Sequence, residues 1–412
     1  MKAGFKKTEV GLIPKDWDYQ PFSHLYKEPS RNGIYKASEY QGRGTRIVNM
    51  KEMFGFNFIS DQDMSRIALT TLELSVGGLQ DGDLLFGRRS VVPSGAGKCS
   101  LVISPAEPIT FESSIIRTRL DKKKACPLYY YYFFASSVGR TLVGTIISGT
   151  NIKGIRASEL RELKVPLPPS PEQQTIAVAL SDTDTLIESL ERLITKKRNI
   201  KQGAMQELLT GKRRLQGFSG KWEKIVFGSI AERIVGGGTP SRAVANYWNG
   251  AIPWMTVKDF AQYSAIGTLE YITNEGLKNS ASHLIPKHTL ITSTRMALGK
   301  AVIFDVDVSI NQDLKAIFPT KDVDARFLYF WFQFNEKRIA ELGSGSTVMG
   351  ISLGELKKIP FSKPQLPEQT AIATILSDMD TEIKALETKL EKAQRMKQGM
   401  MHELLTGRIR LV

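Results

Sequence analysis

The chain has 412 residues, 42% hydrophobic and 24% charged, with two cysteines and a net charge of +14. That length suggests about two or three domains, each able to bury a core without staples, and Cys99 and Cys126 give neither a metal-ligand spacing nor a disulfide framework. No apolar run approaches the roughly 18 residues of a membrane span and no leader-like segment follows Lys6 and Lys7, so a cytoplasmic protein with no membrane partner is expected. The positive excess favours a polyanion, most simply nucleic acid. It is spread along the chain, about +6 in 1–150, +4 in 151–216, +2 in 217–345 and +2 in 346–412.

Segment 1–150, opening around Trp17, alternates short apolar runs with Gly, Pro and Asp, the pattern of a mixed α/β domain. Arg88, Arg89 and Lys98 flank the loop 90–97. Arginine there suits a fork onto guanine O6/N7 and lysine a phosphate, although a solvated surface role fits each of them as well. Gly95-Ala96-Gly97-Lys98-Cys99 fails as a phosphate loop, lacking the distal glycine and the hydroxyl after lysine. The run 122–124 reads as a solvated lysine turn, and an amphipathic helix is expected near 127–143. Segment 151–216 then carries a long helix. Ile176, Leu180, Thr183, Ile187, Leu190 and Ile194 alternate spacings of four and three, a coiled-coil seam that needs a partner helix. Pro171 suits the first turn, Ser170 with Gln173 predicts a capping box, and Gly211 marks the stop. About 40 residues of helix make roughly 60 Å.

Segment 217–345 opens near Trp222 and is a second mixed α/β domain. Glycines 236–238 precede Thr239, Pro240, Ser241 and Arg242, a loop able to bring backbone donors and hydroxyls to phosphate, or a tight turn before a strand. Lys258 is a further candidate cation. Runs 289–292 and 301–304 read as strands around a loop holding Arg295 and Lys300, corresponding to the Arg88–Lys98 region. Leu298-Gly299-Lys300-Ala301 fails as a phosphate loop in the same way. Asn311 and Gln312 suit adenine edges or a buried side-chain cap on the backbone, and a helix is expected near 325–342.

Segment 346–412 repeats the first helix. Residues 367–411 match residues 171–215 at 25 of 45 positions without a gap, with Ile372, Leu376, Met379, Ile383, Leu386 and Leu390 in the same phases and Gly407 as the stop. Ser148-Gly149-Thr150 and Gly154-Ile155 likewise match Ser344-Gly345-Ser346 and Gly350-Ile351. The order is domain, helix, domain, helix, with high identity in the helices and low identity in the domains. Similar helices suit one job done twice, with antiparallel pairing within the chain favoured over ordinary dimerisation helices. Dissimilar domains suit readers of two different ligands, or neutral drift of surface loops. His24, His283, His288 and His402 form no ligand spacing. No adenine-methyltransferase tetrapeptide or cofactor glycine fingerprint occurs, so neither a catalytic centre nor a metal site is expected.

Over nearly its whole length the chain resembles the specificity subunit of a type I restriction-modification system. The residues that carry the resemblance are the Pro-Glu-Gln helix starts and the Lys-Gln-Gly to Glu-Leu-Leu-Thr-Gly ends (201–211 and 397–407). Gly237-Gly238-Thr239-Pro240-Ser241, Tyr247-Trp248-Asn249-Gly250, Ile252-Pro253-Trp254 and Asn311-Gln312 add to it. The first domain lacks the Gly-Gly-Thr-Pro-Ser run and so belongs to a different specificity class. The resemblance implies two target-recognition domains, each reading half of a split double-stranded DNA target, with the paired helices setting the unread gap. It implies two methylation subunits docked on the helices, bringing S-adenosylmethionine and flipping an adenine for N6 methylation. Motor-nuclease subunits using ATP and Mg would cleave, and this chain would bind none of these cofactors. Three alternatives stay open: the specificity subunit of a combined methyltransferase-nuclease, a coiled-coil adaptor without DNA readout, and an enzyme with an unrecognised site.

Overall fold

A computed structural model describes residues 4–343 and 350–411. The chain divides into two compact units, Met1–Glu191 with Thr388–Val412, and Arg192–Glu387. Two helices of 39 residues, Ser170–Leu208 and Leu366–Leu404, each run through a division point. Every unit therefore holds one mixed α/β domain and part of both long helices. Among the described residues no helix is long and apolar enough to cross a membrane.

In the first unit a five-stranded sheet runs Tyr26–Asn32, Ile115–Leu120, Leu84–Gly87, Cys99–Val102, Phe58–Ile59, beside a three-stranded sheet Ile109–Phe111, Gln41–Val48, Arg66–Ile67. Behind the larger sheet lies Pro127–Ala135, in which Tyr129 to Phe134 are all buried, so this helix is apolar all round and not amphipathic. It ends at Ser136, whose hydroxyl accepts from Gly139 N at 3.1 Å and starts a second helix, Ser137–Gly144. The single helix expected near 127–143 is thus two, broken where the Ser136 backbone is extended (ψ 161°). Glycine suits position 139 because a Cβ there would meet Phe133 O at 2.0 Å. In the second unit the four-stranded sheet Ala231–Gly236, Leu314–Pro319, Leu290–Ser293, Ala301–Ile303 repeats the larger sheet without its last strand. The helix behind it, Ala325–Glu341, is continuous and capped by Asp324, which accepts from Arg326 N and Phe327 N.

The long helices are antiparallel within each unit. In the first, Glu172 meets Arg410, Thr183 meets Met400, and Asp184 meets Lys397, one number rising as the other falls. In the second, Lys197 meets Glu382, Lys201 meets Asp380, and Arg214 meets Glu368. Gly211 (φ 69°) and Gly407 (φ 66°) end the helices in the left-handed conformation that a Cβ disfavours.

Three expectations change in detail. The first two seam residues of each helix are not helix–helix contacts alone. Ile176 and Leu180 sit in the core of the first domain with Trp17, Phe22 and Tyr129, and Ile372 and Leu376 sit in that of the second with Phe227 and Trp331. Leu190 and Ile383 are buried farther along, and Ile187 and Leu386 are half-buried. Nor does Gln173 close a capping box. Its Oε1 accepts from Cys126 N (2.8 Å) and its Nε2 donates to Pro168 O (2.8 Å), and Gln369 repeats this with Asp324 N (3.0 Å) and Pro364 O (2.8 Å). The glutamine is a buried staple between helix start and domain. Finally, strands of each domain sheet follow the expected boundaries at 150/151 and 345/346 before the long helices begin. Ala157–Glu162 and Lys164–Leu167 complete the first domain, the latter pairing with Asp18–Pro21, and Leu353–Lys358 and Pro360–Lys363 complete the second by pairing with Glu223–Val226. The long helices themselves begin at Ser170 and Leu366, with Pro171 and Pro367 in the first turn as expected. Ser344-Gly345-Ser346 and the boundary at 345/346 themselves lie outside the described residues.

Candidate nucleic-acid interface

In the second unit three loops gather at one end of the strands: residues 237–242, the turn 311–313, and residues 294–300. Gly237 makes the approach possible, because a Cβ there would lie 1.8 Å from Ile310 O. Gly238 N then donates to Ile310 O (3.0 Å), Thr239 Oγ1 donates to Gln312 Oε1 (2.6 Å), and Thr294 N donates to Asp313 O (3.0 Å). Asn311 is the cap of this turn. It is buried, accepts from Asp313 N at 3.2 Å, and donates to the Asp313 carboxylate at 3.2 Å. Thr239, Ser241, Gln312 and Lys300 are exposed around it. Arg295 is 57% exposed, with Nη1 3.4 Å from Asp313, and is followed by exposed Met296 in a left-handed backbone (φ 68°).

Arg242 is engaged otherwise. Both its terminal nitrogens meet the Glu270 carboxylate, and its guanidinium lies 3.7 Å from the Trp248 ring centroid. Trp248 Nε1 donates to Ser241 O (3.1 Å) and Trp254 Nε1 to Gly238 O (3.0 Å), so two indoles and one ion pair hold the loop from below. The guanidinium holds the Glu270 carboxyl below the usual range, and Lys258 is exposed in the turn that follows Trp254 and Met255.

The first unit repeats the scaffold with other side chains. A Cβ on Gly33 would meet Glu112 O at 2.2 Å, Ile34 N donates to Phe111 O (2.8 Å), and Arg88 N donates to Ser114 O (2.7 Å). Glu112 N donates to Val48 O (3.0 Å) as Asn311 N does to Met255 O (3.0 Å). Ile155 N donates to Arg88 O as Ile351 N does to Thr294 O, so Arg89 stands where Arg295 stands. Gly97 (φ 64°) and Gly299 (φ 79°) make Lys98 the counterpart of Lys300. Of the three cations expected here, Arg89 is exposed. Arg88 Nη1 donates to Ser113 O (3.2 Å) and Lys98 Nζ to Phe54 O (2.9 Å), and burial with nearby Arg140 holds the Lys98 ammonium below its usual pKa.

The loop beginning at Gly33 was missed in the sequence, because a search for Gly-Gly-Thr-Pro-Ser finds nothing there. The sequence offers there only a lone glycine, Gly33, 16 residues after Trp17 where Gly237 is 15 after Trp222, with Tyr35 two residues on. Among the described residues no three or more His, Cys, Asp or Glu are grouped to hold a metal ion.

Comparisons with known proteins agree with this two-fold layout. A specificity subunit assigned to the MjaX type I restriction enzyme of Methanocaldococcus jannaschii is 27% identical over 432 residues, covering 100% of this chain and 97% of that protein. The EcoR124I/EcoR124II specificity subunit of Escherichia coli is 27% identical over 54% of this chain and 56% of its own length. Among solved structures, the type I restriction-modification S subunit from M. genitalium has the same fold, with a TM-score of 0.60 at 16% identity over 94% of this chain and 96% of that one. The family model for the type I restriction modification DNA specificity domain matches residues 77–198 and 219–395, well over half the chain. The chain therefore belongs to the specificity subunits of type I restriction-modification enzymes, which recognise the DNA target.

Proposed function

We propose that each domain reads one half of a bipartite duplex target through its three-loop end, and that partner subunits perform the chemistry. One observation carries this: the two loop ends share backbone hydrogen bonds and equivalent arginines, Arg89 and Arg295, yet differ in nearly every other side chain. One scaffold bearing two sets of readers suits two different half-sites. The repeated helices offer two near-identical faces, which suits two methylation subunits carrying S-adenosylmethionine, with motor-nuclease subunits using ATP and Mg. On this reading the chain itself binds none of these cofactors and stays within the cytoplasm with the host DNA.

The test uses the chain assembled with its methylation subunits and a duplex carrying the target found by sequencing methylated bases in host DNA. Arg295→Ala is expected to cost about 1–3 kcal/mol on that target and to relax discrimination at one position of one half-site. Lys300→Ala should weaken all duplexes alike and lower the salt slope by about one. If both variants bind and discriminate as the parent does, the three-loop end is not the DNA-reading surface.

A further inference from the structure

We infer that Tyr35 is a base-contacting residue of the first domain, its ring packing against a base of the half-site which that domain reads. This rests on the reading above and names a residue within it. Because Ile34 takes the place of Gly238 on the shared scaffold, Tyr35 takes the place of Thr239 at the loop tip. It is 87% exposed, the most exposed large apolar side chain among the described residues. Exposed apolar side chains are common singly, so it is the coincidence of this exposure with the tip position equivalent to Thr239 that marks the ring.

The surroundings fix the loop and leave the ring outside. Gly33 lies against the Phe111 and Glu112 carbonyls, and Ile34 N is bonded to Phe111 O. On the other side Lys36 Nζ donates to Ala68 O (2.9 Å) and to Glu73 (2.7 Å), and lies 4.6 Å from the Tyr40 ring centroid. The loop is therefore ordered before DNA arrives, and a tyrosine, with two side-chain torsions, has little further entropy to lose. The Lys36 pair also neutralises the Glu73 carboxylate, whose pKa is lowered to about 2 first by lysine and then by the Thr70 amide. Arg31, Arg43 and Arg89 are exposed in the same domain and suit the phosphates flanking such a contact. The second domain puts a small hydroxyl at this position, hydrogen-bonded to Gln312, so the two tips differ in chemistry as two readers of different half-sites should.

The experiment compares the parent complex with Tyr35→Ala and Tyr35→Phe on the target duplex, on duplexes mismatched in either half, and on an unrelated duplex. Thermal melting checks folding, which an exposed side chain should leave unchanged. Tyr35→Ala is expected to lose about tenfold or more in affinity for the target and in methylation of it, with an unchanged salt slope since no charge is removed. Penalties for mismatches in the first domain's half should shrink, and those in the other half should persist. Tyr35→Phe should keep most of the affinity, because the ring makes the contact. Target affinity within twofold of the parent for Tyr35→Ala overturns the inference, and so does an equal loss on the unrelated duplex. Failure of Tyr35→Ala to assemble with the methylation subunits overturns it too, by assigning the ring to a protein contact. A parent complex that does not discriminate its target removes the functional reading and Tyr35 together, whereas a discriminating parent with an indifferent variant removes Tyr35 alone.

Discussion

Exchanging residues 217–365 for the same stretch of another specificity subunit is expected to change one half of the DNA target and leave the other half as it was. Exchanging only 217–345 is expected to give a chain that does not fold stably. The shorter exchange brings in a foreign partner for Pro360–Lys363, which pairs with Glu223–Val226, and a foreign core around Leu356, Ile359 and Phe361. Those three side chains are 1–2% exposed. Misfitting or stranding a large core side chain costs about 2–5 kcal/mol, so three approach the 5–15 kcal/mol that holds a whole domain. Thermal melts of the two chimeras, followed by sequencing of methylated bases, separate the outcomes. Equal folding of both chimeras, or a change in both half-sites, would show that the domain does not end where the last strand ends.

Arg410→Ala is expected to destabilise the first unit by about 3 kcal/mol in urea unfolding followed by tryptophan fluorescence. Arg410 pairs with Glu172, which is 2% exposed and also accepts from Trp17 Nε1 at 3.0 Å. Removing the guanidinium leaves a buried carboxylate with one neutral donor, which is far costlier than never having had the charge. Glu172→Gln combined with Arg410→Ala should therefore recover part of the loss, a pattern that a simple deletion of packing would not produce. The second unit carries the same device in Arg214, Glu368 and Trp222, whose Nε1 donates to Glu368 at 3.0 Å. Arg214→Ala should act there with similar size. A cost below about 1 kcal/mol for Arg410→Ala would place this pair among ordinary surface ion pairs.

These pairs explain why Pro-Glu-Gln recurs where it does. Glutamate ties each helix start to the tryptophan that opens its domain and to an arginine just past the end of the other helix. The next residue, glutamine, staples the start to the turn before the domain's buried helix. The repeat was visible as letters, but its purpose was not, because both partners of each glutamate, and the domain amide that each glutamine receives, are far from it in the chain.

The same division runs through the molecule. The sequence by itself determined the two long helices, their glycine stops at Gly211 and Gly407, the antiparallel duplicated plan and the family. All of these follow from local periodicity, from backbone needs within a turn, or from comparison of one segment with its repeat. Only the tertiary structure decided that Ile176 and Leu180 belong to a domain core, that the domains extend to residues 167 and 363, and that Arg242 props its loop through Glu270 and Trp248. It alone matched Gly33 to Gly237, since that match rests on carbonyls of residues 111 and 310 brought close by sheet pairing. Strand partners and close backbone approaches are settled by packing between segments far apart in sequence, where no short-range pattern records which carbonyl a glycine must pass.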